Sequence, residues 1–306
     1  MKVNVNPSID SMDIKKRKKY FSVFDFVNYT ISFVILFIIV YPVYFVVIAS
    51  FSEPAAVSTG QVWFFPRGFT LDGYVALIED GNIWVGYRNT LLYSGLGVLI
   101  HLVVNIPAAY VLSRRDLVFR KVLTFYFLFT MFFSGGLIPT FITVQRLGLY
   151  NTIWVMVLPF TVSVYNIIVA RTFFMNSIPG ELRESAQMDG CGNIRFFIQI
   201  VLPLSKAILA VIALWNMVGH WNSYFNALIY LQDRALFPLQ LILRRILIQN
   251  EMQGMIGTGE ALDIAMRKAN LIRYSAIIVS TLPIMCVYPF VQKYFNQGVM
   301  IGAVKG

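Results

Sequence analysis

The chain has 306 residues, of which 58% are hydrophobic and only 13% charged, with a mean hydropathy of +0.67. Soluble domains carry roughly 25% charged residues, so this composition excludes an ordinary water-soluble domain and requires lipid around much of the surface. The formal net charge of +10 reads as membrane topology rather than nucleic-acid affinity, because cytoplasmic loops collect Lys and Arg.

A hydrocarbon core about 30 Å thick takes roughly 20 apolar residues in a helix. Six stretches meet that length: 24–50, 90–112, 122–142, 153–174, 204–229 and 274–295. The first follows the basic cluster Lys15 to Lys19. Its apolar run is longer than the roughly 7–15 residues of a signal peptide, so it is expected to stay as a helix. The segment Phe237 to Ile248 carries Arg244 and Arg245 at its centre. Each would cost about 2.5–3.5 kcal/mol in mid-membrane, so this segment is expected to lie on the outer surface.

Six spans place both termini on one side. With the N-terminus inside, the inner segments hold most of the excess Lys and Arg, and the outer ones are nearly neutral. The expected fold is therefore all-α, an integral membrane protein with N-in/C-in topology. Residues 1–23 form a cytoplasmic tail, 24–295 the six-helix domain and 296–306 a second cytoplasmic tail.

The inner loop 175–203 carries the most information. Pro179 suits a first helical turn, and Glu181 and Glu184 favour a helix N-terminus. Gly190 and Gly192 end that helix, and Phe196, Phe197, Ile200 and Leu202 form an apolar face before Pro203. This gives two short helices and a turn outside the lipid, which on these grounds alone fits a plain linker as well as a docking element.

The string Glu184-Ser185-Ala186-Gln187-Met188-Asp189-Gly190-Cys191, followed by Ile200-x-Leu202-Pro203, resembles the EAA loop of bacterial ABC importer permeases. Ser185 and Cys191 stand where that pattern has Ala, and both keep the side chain small. Three further blocks, Phe133 to Thr152, Trp215 to Leu231 and the tail GVMIGAVKG, resemble the carbohydrate-uptake, maltose-permease-like branch. Within it they look closest to the YtcP/LplC-type permeases for complex oligosaccharides.

The resemblance implies a type I importer permease fold in a bacterial cytoplasmic membrane. It also implies that Glu184, Ser185, Ala186, Asp189, Gly190, Phe197, Ile200, Leu202 and Pro203 form the coupling element that docks on an ATPase. The implied partners are a second homologous permease, two ATPase subunits, an extracellular lipid-anchored binding protein and an oligosaccharide. No phosphate loop of the form G-x-x-x-x-G-K-[ST] occurs here, so ATP and Mg are expected on the ATPase, with no cofactor on this chain. Neither catalytic nor metal-binding residues are expected: Cys191 and Cys286 make no ligand-spaced pair, and there are only two histidines.

In the fifth span, Asn216, Gly219, His220, Asn222, Ser223 and Asn226, with Trp215, share an arc of about 160° at 100° per residue. Leu214, Met217, Val218, Trp221, Phe225 and Leu228 take the other side. Amides pair with sugar hydroxyls and aromatic rings pack on pyranose faces, so the arc suits a sugar path. Amides also join helices to one another, and both uses fit the pattern. A second row, Asn89, Tyr93, Gly97, His101 and Asn105, serves packing or transport; Tyr93 is the candidate path residue from it. An ion-coupled secondary sugar transporter is the alternative. Such coupling uses intramembrane carboxylates or broken-helix carbonyls at a repeat interface. The span interiors lack Asp and Glu apart from Asp25.

Overall fold

In the computed structural model of the protein, residues 23–256 and 272–287 are described, with positions 289 and 292. Every regular element among them is helical. The tails expected at 1–23 and 296–306 lie, Val23 apart, outside the described residues. So do residues 257–271 and, positions 289 and 292 apart, the end of the expected sixth span beyond residue 287.

The chain divides into two units, Met1–Phe45 and Val46–Gly306. The described part of the first belongs to α1 (Val23–Ser50), an unbroken apolar helix with Asp25 in its first turn and Pro42 inside. An acidic residue there complements the positive end of the helix dipole.

In the second unit, α2 (Pro54–Ser58) and α3 (Asp72–Glu79) precede α4 (Gly81–Ser113). The long helix α4 starts at Gly81 rather than near residue 90 because Asp80 caps it, accepting from the Asn82 N–H at 2.9 Å. The third stretch is two helices, α5 (Arg120–Phe132) and α6 (Leu137–Arg146), bent by 108°. The break falls on Gly135 and Gly136. The fourth is a 3₁₀ turn, Ile153–Met156, then irregular chain, then α7 (Val164–Ser177). Ser163 starts α7 by accepting from the Asn166 N–H.

Next come α8 (Gly180–Met188), α9 (Asn193–Phe196), a π-helical stretch Phe197–Val201, and α10 (Leu202–Leu204). Pro203 has no N–H and crowds the preceding turn, which accounts for a π stretch just ahead of it. The run Asn193–Leu204 then bends by 80° into α11 (Lys206–Trp221). A turn separates α11 from α12 (Phe225–Tyr230), and α13 (Leu239–Ile256) and α14 (Ile272–Val287) follow.

Among the described residues, α1 and α4 are each long and apolar enough to cross a membrane, and the two bent pairs raise that number to four if each is one span.

The helix α4 is the axis of the second unit, packing against α7, α11 and α13. Two buried clusters form along it. One gathers Tyr93, Trp221, Tyr230, Phe237 and Leu239; the other gathers Ile106, Ala109, Ile167, Phe174, Val201 and Ile212. The segment 237–248 is anchored to α4 by its first half. Phe237, Leu239, Leu241, Ile242 and Leu243 are buried, and the Leu239 N–H donates to Thr90 Oγ1 on α4 at 2.9 Å. Apolar spacing wins there, while Arg244 and Arg245 stay exposed with their guanidiniums over the rings of Tyr224 and Phe237.

Candidate coupling and translocation sites

The coupling segment is built on a helix end of defined geometry. The α8 helix stops because Gly190 takes φ +75°, a left-handed conformation that costs a side chain roughly 1–2 kcal/mol. The Cys191 N–H donates to Ala186 O at 2.8 Å and the Gly190 N–H to Gln187 O at 3.0 Å. This is the paired bonding of a Schellman cap. Ala186 is the buried residue of α8; Glu184, Ser185, Asp189 and Gly190 are all exposed.

The returning arm is anchored. Phe196 and Val201 are buried, Phe197 lies 5.0 Å from the Tyr110 ring, and Ile200 and Leu202 pack against the same cluster. Pro203 is exposed. At the tip, Met188 is 89% exposed and Ile194 77%, so the turn presents apolar side chains beside Asp189.

Three polar residues outside the expected set hold this segment. Arg183 reaches both carboxylate oxygens of Asp116 at 3.0 and 2.9 Å. Arg114 also grips Asp116, at 3.1 and 2.6 Å, and donates to Asn193 Oδ1 at 3.0 Å. Hydrogen bonds from Arg114 and then Arg183 hold the Asp116 carboxyl well below the usual carboxylate range. The same contact raises Arg114 above its ordinary value. A signal was present, since opposite charges occupy the segment after α4 and the helix α8, but their pairing depends on the fold.

The fifth-span arc opens on a cavity of about 240 Å³. Asn216, Gly219, His220, Ser223 and Asn226 line it together with Trp215. From other helices it takes His101 of α4 and Ser163 and Asn166 at the start of α7, of which Ser163 and Asn166 were missed. Asn166 Nδ2 lies 3.0 Å from His101 Nε2.

Two expected path residues fall elsewhere. The helix ends at Trp221, so Asn222 turns outward and donates to Val218 O at 3.0 Å. Tyr93 is buried, its hydroxyl donating to Leu236 O at 2.7 Å. The rest of the Tyr93 row is buried too. Asn89 donates to Ala235 O and Phe237 O. Asn105 donates to His101 O and Thr161 O and accepts from the Ser163 N–H. That row locks irregular chain onto α4: Asn89 and Tyr93 hold residues 235–237 and Asn105 holds the broken fourth stretch, whose backbone groups need partners away from water. On the opposite side of α11, the Trp221 Nε1–H donates to Ser280 O at 2.8 Å and fixes α14.

A helical bundle with broken helices, a capped exposed turn and a small polar cavity agrees with what the sequence comparison finds. Residues 81–301 match the family described as the binding-protein-dependent transport system inner membrane component. The chain belongs to this family.

A relative is the polygalacturonan/rhamnogalacturonan transport system permease protein YtcP of Bacillus subtilis (strain 168), 38% identical over 287 residues. The match covers 92% of this chain and 98% of the relative. Protein LplC of the same organism is 36% identical over 269 residues, covering 88% and 90%. Among solved structures, a chain of a bacterial ABC transporter involved in import of the acidic polysaccharide alginate superposes with a TM-score of 0.80. It is 31% identical, with 89% of this chain and 96% of that chain covered. Membership makes this chain an inner membrane permease component of a binding-protein-dependent transporter, and its fold that of an importer permease.

Proposed function

We propose that the chain is one of two homologous permeases, each with six spans and both termini inside, that together enclose the path of a complex oligosaccharide. Two ATPase subunits dock from the cytoplasm and a lipid-anchored binding protein delivers sugar from outside. ATP and Mg are held by the ATPase. Each turn of the cycle requires the two conformations to differ in affinity for nucleotide and sugar.

The observation that carries this reading is the tip of the α8–α9 turn. Met188 and Ile194 stand exposed beside Glu184 and Asp189 on a rigidly capped helix end. An exposed apolar tip next in sequence to an exposed carboxylate suits insertion into a protein groove. The coupling role rests on Glu184, Ser185, Ala186, Asp189 and Gly190, with Phe197, Ile200, Leu202 and Pro203 as the anchored return arm.

The sugar path runs past Asn216, Gly219, His220, Ser223 and Asn226. The lining offers three amides, two hydroxyls, two imidazoles and the Trp215 ring but no carboxylate. Arg244 sits over Tyr224, the neighbour of the lining residue Ser223. These features, with the relatives named for polygalacturonan and alginate, favour an acidic oligosaccharide as first substrate.

The test is uptake of labelled oligogalacturonate and oligoalginate by cells with and without this chain. Loss of ATP-dependent uptake on deletion, restored by the native chain but not by an Asn216→Leu/Asn226→Leu variant, is the expected result. Uptake that persists without the chain, or that follows an ion gradient with ATP depleted, would defeat it.

A further inference from the structure

The α8 helix is weakly anchored by apolar contact, since Ala186 is its buried residue. It also faces an open cavity of about 770 Å³ bordered by Tyr110, Asp116, Pro179, Arg183 and Glu184. What spans that space is charge. The Arg183 guanidinium takes both oxygens of Asp116, which follows directly on the end of α4, and Arg114 completes the cluster by holding Asp116 and Asn193. One carboxylate thus fastens α8 to α4, and its guanidinium neighbour fastens α9 to the same point. Tyr110, in the last turn of α4, adds a ring contact to Phe197.

The same α4 carries Gly97 and His101 at the polar cavity. From Gly97 to Arg114 the helix runs roughly 25 Å at 1.5 Å per residue. The helix is continuous through Pro107, so one element with an end clamped to the coupling turn and its middle at the cavity links the two.

We propose that Asp116 is a positioning residue for coupling: by clamping Arg183 it fixes α8 onto α4, so that displacement of α8 is carried along α4 to the cavity. This rests on the proposed ATPase docking at α8. A bidentate guanidinium–carboxylate pair defines orientation as well as distance, which a single apolar anchor does not.

The test uses the complex purified with its partner subunits from native membrane, with Cys191 and Cys286 changed to Ser and one reporter, Ser223→Cys, in the cavity. The readout is the ratio of maleimide labelling rates with ATP plus vanadate and without nucleotide, beside the rate of ATP hydrolysis. In Asp116→Ala, the ATPase remains bound and hydrolyses ATP, while the nucleotide-dependent change in labelling falls at least about fivefold, the lower end of typical coupling between sites. The exchange Asp116→Arg/Arg183→Asp keeps one carboxylate between two guanidiniums and restores it. If Asp116→Ala is not recovered in the membrane, Arg183→Lys, which keeps the charge and loses the fork, gives the same reduction.

Unchanged labelling ratios in Asp116→Ala or Arg183→Lys overturn the proposal. So does loss of the bound ATPase that the exchange does not repair, since the cluster is then merely structural. Failure of the docking reading is separate: the unmodified chain then purifies without an ATPase, or its labelling ignores nucleotide.

Discussion

Gly97 of α4 and His220 of α11 meet so closely that a Cβ on Gly97 would overlap the imidazole ring. His220 also lines the polar cavity, so a side chain at position 97 moves a cavity residue or separates two helices. Gly97→Val is expected to lower stability in detergent by about 1–3 kcal/mol, the usual cost of overpacking, and to abolish sugar uptake. Melting temperature and uptake of the variant check both parts. Gly219, which also lines the cavity, has no neighbour outside its own helix within 4 Å of its Cβ position, so Gly219→Ala should fit and raise stability by about 0.4–1 kcal/mol.

Asn105 satisfies three backbone groups at once and is fully buried. Asn105→Leu leaves the Ser163 N–H and Thr161 C=O without this partner, at about 1–3 kcal/mol for each orphaned group. The expected outcome is a marked fall in thermal stability, with hydrogen exchange rising first at the Ser163 amide that starts α7.

The positive φ of Gly190, and not crowding, dictates its identity, because no atom lies within 4 Å of its Cβ position. Asn tolerates the left-handed conformation far better than a β-branched residue. Gly190→Asn should therefore retain ATPase-coupled uptake, and Gly190→Val should lose it while still inserting in the membrane. Equal uptake by the two variants would remove Gly190 from the coupling role.

The Asp116 carboxyl is depressed in the folded chain, so its contribution is present above the ordinary carboxylate pKa of about 3.9 and is lost as pH falls below that range. The stability difference between the native chain and Asp116→Asn should be flat from about pH 8 to pH 5 and should shrink only in stronger acid. It should also be small, about 0.2–1 kcal/mol, because the side chain is 49% exposed and screened by solvent. Melting curves across that range test both statements.

Continuous features and the glycine-marked break were legible in the sequence; the other breaks were not. The apolar run of α1 and the Gly190 turn of the coupling segment stand where local pattern places them, and Gly135, Gly136 and Pro139 are residues that kink a helix where the third stretch bends. The fourth and fifth stretches look continuous by hydropathy, which does not register the 3₁₀ turn at Ile153–Met156 or the turn after Trp221. The 100° spacing therefore places Asn216, Gly219 and His220 on the cavity side of α11, but it does not hold past Trp221, where Ser223 and Asn226 reach the cavity through the turn and α12 and Asn222 does not. Tyr93 and Asn105 were ambiguous, since an amide or phenol in a membrane helix looks the same whether it faces sugar or a backbone carbonyl. Asp116 and Arg183 are 67 residues apart, so neither spacing nor periodicity pairs them.

The most direct test of the central claim is to tag this chain, extract it from native membrane in mild detergent and identify every protein that remains bound. The expected result is a second permease of the same family and an ATPase with a phosphate loop, the ATPase alone being released when Asp189 and Met188 are replaced by bulky residues of opposite character. Recovery of this chain alone, from cells whose uptake of the sugar is intact and independent of ATP, would contradict the importer account and favour an ion-coupled carrier.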